Sequence, residues 1–81
     1  MVYRILDEEN ISYLNCKRVG IRIVVPDDSL QTDVDYTLGR IVQKYKINWD
    51  DVTIWAYKES ETDLVGQIGN TMGMKKYSIC N

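Results

Sequence analysis

Val19, Ile21, Ile23 and Val25 alternate with Arg18, Gly20, Arg22 and Val24. That period of two predicts a strand with one strongly apolar face, ended by Pro26-Asp27-Asp28. The period then changes. Leu30, Val34, Leu38, Ile41, Val42 and Tyr45 recur at helical spacing and form one apolar stripe. Ser29 or Thr32 is the expected N-cap, with Thr32 and Asp35 at capping-box spacing. Asp33 and Asp35 fall in the first turn and Lys44 and Lys46 in the last, as the helix dipole favours. Gly39 is placed to allow close packing on a sheet, at about 1 kcal/mol relative to alanine.

Asn48-Trp49-Asp50-Asp51 leads into a second clear strand, Val52–Lys58, in which Val52, Ile54 and Ala56 point one way and Thr53, Trp55 and Tyr57 the other. Weaker apolar stretches predict further strands at Val2–Leu6, Ile11–Cys16, Leu64–Ile68 and Met74–Cys80. Asp7-Glu8-Glu9-Asn10 reads as a polar break and Glu59-Ser60-Glu61-Thr62 as a polar turn. The expected fold is α+β: a single four- to five-stranded sheet, mixed or antiparallel, with one helix packed on one face. The 81 residues are expected to make one domain, 1–81.

One helix covers one face of such a sheet. The other face is expected to carry Arg18, Arg22, Thr53, Trp55 and Tyr57. Tyrosine, tryptophan and arginine together mark a surface that binds a copy of itself, another protein or a flat ligand. Composition supports this. The chain has no phenylalanine but six tyrosines and two tryptophans, so every aromatic ring carries a polar handle. A chain this short buries only about 60% of its unfolded surface, which makes self-association a natural expectation.

A net charge of −2 and a pI near 4.9 argue against a nucleic-acid polymer or a membrane surface as partner. No apolar run approaches a membrane span, and acidic residues interrupt the N-terminus where a signal peptide needs apolar ones. A cytoplasmic location follows by default. In that setting Cys16 and Cys80 are expected as reduced, half-buried thiols. A bridge between them is the alternative, and needs both segments side by side. The absence of histidine removes the commonest general base and metal ligand. The acidic sets lie in predicted turns or at the helix start without EF-hand spacing. No catalytic residue, metal or cofactor is expected.

Gly66, Gly69 and Gly73 fall within eight residues, followed by Lys75, Lys76 and Tyr77. They match neither a Walker loop nor a dinucleotide fingerprint. Two readings stay open: a pliable loop whose amides, with Asn70, Thr71, Lys75 and Lys76, hold an anionic or polar group, or a hairpin loop with bulges leading into the last strand.

Ile11–Arg18, Arg22-Ile23-Val24-Val25-Pro26, Asp51–Tyr57 and Thr71–Tyr77 together resemble a group of small bacterial and phage-borne α+β domains without an assigned function. Members place a Gly-Gly-x-Tyr-Thr-x-Gly stretch before the last strand. Here Gln67-Ile68-Gly69-Asn70 stands in its place, so no ligand contact of that tyrosine carries over. The resemblance implies a phage-compatible small domain and no chemistry.

The resulting expectation is a small non-enzymatic binding protein, sequestering a small polar, nucleotide-like ligand on Arg18, Arg22, Trp55, Tyr57, Asn70, Thr71, Lys75 and Tyr77. The alternative is a protein–protein interaction module or inhibitor acting through the sheet face or edge.

Overall fold

The computed structural model describes residues 2–61 and 71–80. The chain forms strands β1 (Arg4–Asn10) and β2 (Arg18–Val25), helix α1 (Gln31–Tyr45), strand β3 (Asp51–Lys58), a 3₁₀ turn (Glu59–Glu61) and strand β4 (Thr71–Ser78). The sheet order is β1-β2-β3-β4. β1 and β2 are antiparallel, β2 and β3 parallel, β3 and β4 antiparallel. The sheet is therefore mixed, and the one parallel pair is the one joined through the helix. This is the small α+β fold that the periodicities predict.

The core follows from the two alternating strands. Val19, Ile21, Ile23 and Val25 face Val34, Leu38, Ile41 and Val42 of α1 together with Val52, Ile54 and Ala56, all buried. α1 packs mainly over β3 and β4. Gly73 makes that approach possible, since a Cβ there would lie 3.3 Å from a methyl of Leu38. Gln31 Nε2 donates to the Met72 carbonyl at 2.7 Å and ties the first turn of α1 to β4. The third glycine of the C-terminal segment is thus a seat for the helix. Gly39 is not: a Cβ there would meet nothing within 4 Å.

Several local expectations change. Asp7–Asn10 is not a break but the second half of β1, because it pairs with β2 and the Arg22 opposite Asp7 takes up that charge. Ile11–Cys16 is no strand. Reciprocal amide hydrogen bonds between Tyr13 and Cys16 close a two-residue turn instead, with Leu14 at φ 50°. α1 begins after Leu30, without a side-chain cap, and the Ser29 hydroxyl donates to the Pro26 carbonyl. The strand expected at Leu64–Ile68, with Gly66 and Gly69, lies outside the described residues.

The largest correction concerns the cysteines. Cys16 and Cys80 form a disulfide, with Cα atoms 6.0 Å apart. They lie beyond the ends of β2 and β4, which flank β3. Asp50 N donates to the Lys17 carbonyl at 2.9 Å, and Ile79 N to the Asp50 carbonyl at 2.9 Å. These bonds draw the outer segments together past the start of β3. Local sequence cannot show this, because it depends on strand order.

Candidate functional site

On the face away from α1, two cross-strand rows stand side by side. One reads Asp7–Arg22–Trp55–Met74 from β1 to β4, the other Glu9–Gly20–Thr53–Lys76. A hollow of about 230 Å³ opens where they meet, lined by Asp7, Glu9, Ile11, Gly20, Arg22, Trp55 and Tyr57.

Gly20 shapes this hollow. A Cβ built on it would sit 3.4 Å from the six-membered ring of Trp55 and 3.7 Å from Ile11 Cδ1. The indole therefore lies down across the bare backbone of Gly20 toward Ile11. A glycine within a strand of β-branched residues marks such close approaches. Tyr57 is buried beside it, and Trp55 keeps partial exposure.

Polar groups form the opposite wall. Arg22 Nε donates to Asp7 Oδ1 at 3.0 Å, and Arg22 Nη2 pairs with Asp7 Oδ2. The two groups meet fork to fork, the strongest geometry for such a pair. The hydrogen bond that Arg22 donates to Asp7 raises its guanidinium above the ordinary value. Arg22 is thus engaged before any ligand arrives. Glu9, in register with Gly20, makes no ion pair among the described residues, and its charge acts on the Arg22 guanidinium only through the field it adds to that of Asp7.

The structure divides the expected site residues. Arg22, Trp55 and Tyr57 come together in the hollow. Arg18 shares their face but lies four residues along β2, about 13 Å from Arg22 along the strand. There its guanidinium stands 5.1 Å from the centre of the Tyr13 ring and 3.7 Å from Asp51. Lys75 and Tyr77 are on the other face, opposite Ile54 and Val52. Tyr77 packs against the core beneath Lys46. A bulge sets this parity: Ala56 pairs with Gly73 but Tyr57 with Thr71, so Met72 is an extra residue. Met74 and Lys76 consequently stand beside Trp55 and Thr53. Asn70 and the Thr71 side chain lie outside the described residues.

Asp7, Glu9, Ile11 and Gly20 were not expected in the site. The acidic pair gives no sign of a strand until β2 lies beside it and sets Arg22 opposite Asp7. Gly20 carried a usable signal, as a lone glycine inside the clearest strand of the chain.

No helix among the described residues is long and apolar enough to cross a membrane. Comparison with protein-family models, with curated proteins and with solved structures finds no match to this chain. The chemistry of the site is therefore argued from its own geometry.

Proposed function

We propose that this is a non-catalytic binding protein whose open sheet face holds a small, flat, polar group against Trp55. The observation that carries the reading is the indole laid over Gly20, facing a wall of Asp7, Glu9 and Arg22. A flat ring stacks on the indole while Glu9 accepts hydrogen bonds from its edge. Arg22 already gives two of its nitrogens to Asp7, so donors on the ligand suit the hollow better than negative charge. The polar groups here are two carboxylates, a guanidinium, a phenol and an indole N–H; Asp7 is committed to Arg22, and no serine, threonine or cysteine among the described residues lines the hollow.

The size of the hollow favours a second reading. Small-molecule sites usually measure roughly 300–1,000 Å³, and this one is about 230 Å³. That volume suits one ring system or one side chain. A partner protein, or a second copy, inserting a single basic side chain would use the same contacts, with exposed Met74 as flanking apolar surface. The Cys16–Cys80 bridge favours oxidising surroundings over a reducing cytoplasm.

The test is a fluorescence titration in a Trp49→Phe background, with adenine, cytosine and benzamidine as probes. Saturable quenching that Glu9→Gln abolishes is the expected result; Trp55→Ala, which removes the last tryptophan of that background, is titrated by calorimetry and should not bind. Binding that persists unchanged in Trp55→Ala would show the site to be elsewhere. Native mass spectrometry of the same samples separates the ligand reading from self-association.

A further inference from the structure

A second concave surface lies on the helix side. It is a groove of about 610 Å³, lined by Tyr36, Thr37, Arg40, Ile41 and Lys44 of α1 and by Tyr3 ahead of β1. It exists because α1 packs mainly over β3 and β4 and makes no comparable contact with β1. Positions 36, 40 and 44 are four apart, so their side chains stand in one row along the outer flank of the helix.

The charges in this row differ from those elsewhere. The chain has four arginines. Arg4, Arg18 and Arg22 each lie within 4.0 Å of a carboxylate, on Glu59, Asp51 and Asp7. Arg40 has no carboxylate partner among the described residues. It is held by a ring instead: its guanidinium carbon is 5.8 Å from the Tyr36 centroid, and Nη1 donates to Tyr36 Oη at 3.3 Å. Lys44, one turn further on, also lacks a carboxylate partner among the described residues. Glu8, the nearby acidic residue of β1 on this side, accepts a hydrogen bond from Tyr45 Oη at 3.3 Å. An acidic chain thus keeps two cations unneutralised in one groove, one of them oriented by an aromatic ring. A planar guanidinium that no carboxylate occupies is suited to a tetrahedral oxyanion through its remaining N–H groups, and a lysine beside it adds a point charge.

We infer that this groove binds a phosphate ester of a flat aromatic group, of mononucleotide class. Arg40 and Lys44 take the phosphate, Thr37 adds a hydroxyl, and Tyr3 and Tyr36 supply ring surface for the flat moiety. The groove volume falls within the roughly 300–1,000 Å³ of small-molecule sites. This assignment does not rest on the hollow beside Trp55. It gives an anionic ligand a place on the molecule that the paired arginines of the open face do not offer.

Adenosine 5′-monophosphate is the probe, with adenosine and inorganic phosphate as its separate halves, followed by calorimetry and by amide shifts along residues 37–44. The monophosphate should bind at least about tenfold more tightly than either half, the ratio expected when one charge-assisted contact is added to stacking. Measured in a Trp55→Ala background, so that the hollow of the open face cannot take the base, Arg40→Gln should weaken it by a similar factor and Lys44→Gln by less. Both substituted residues are solvent-facing helix positions, and glutamine keeps the helix propensity, so circular dichroism should show an intact fold. The inference is overturned if the monophosphate does not bind at millimolar concentration. It is equally overturned if adenosine binds as well as its phosphate, if Arg40→Gln has no effect, or if the shifts appear on β3 instead of α1.

Discussion

Gly20 and Gly73 lie on opposite faces of one sheet, and each leaves a space that a larger neighbour enters. At Gly73 the neighbour is α1, through Leu38 and Gln31, and the space becomes part of the core. At Gly20 it is one indole ring, half-buried, and the space becomes the floor of a hollow. The same omission of a side chain thus builds stability on one face and a binding surface on the other. The difference lies in what fills the gap. An element anchored by Val34, Leu38, Ile41 and Val42 cannot move without unfolding the core. A single side chain can rotate away at small cost.

The largest expected effect strikes the end of the sheet where both faces meet. Cys80→Ser should lower stability by about 4 kcal/mol, the chain-entropy value for a loop of this length, the two cysteines being 64 residues apart. Urea unfolding of the variant should match that of the wild type under reductant. An unchanged midpoint would mean that the bridge does not constrain the unfolded chain.

Paired valine substitutions test the contrast directly. Gly73→Val drives methyl groups against Leu38 and should cost about 1–3 kcal/mol, as overpacking does. Gly20→Val should cost less than about 1 kcal/mol, because the indole can swing into solvent, while its emission shifts to the red and the hollow is lost. Equal losses from the two would refute the distinction between the faces.

The smallest effect depends on pH. Ser60 N donates to Asp27 Oδ1 at 3.0 Å, and this hydrogen bond holds the Asp27 carboxyl below its ordinary value. A folded-state value below the unfolded one adds stability above the ordinary aspartate range, near pH 4. That contribution is lost as pH falls through the folded-state value. Asp27→Asn should therefore lower the neutral midpoint slightly, leave the midpoint below the folded-state value almost unaltered, and so flatten the acid limb between them.

What was legible in the sequence was what repeats locally. The alternation in Val19–Val25 and Val52–Lys58 and the stripe from Val34 to Val42 predict the sheet, the helix and the face each presents. The aromatic face was legible for the same reason. What could not be read depended on a partner strand. Asp7 and Glu9 look like a break until β2 supplies Arg22 and Gly20 opposite them. The facing of Lys75 and Tyr77 hangs on one extra residue at Met72, since a single step reverses every side chain that follows. The Cys16–Cys80 pairing needed the strand order itself.

The disulfide has a topological consequence. It closes residues 16 to 80 into a covalent ring containing β2, α1, β3 and β4. β1 alone stands outside that ring, hydrogen-bonded along one edge only. It is the one strand that can peel away, or change places with its counterpart in another molecule, while the ring stays threaded as it was. Asp7 and Glu9 would leave with it. Emptying the hollow and releasing the first strand are then a single event, and an exchanged pair would rebuild each hollow from two chains.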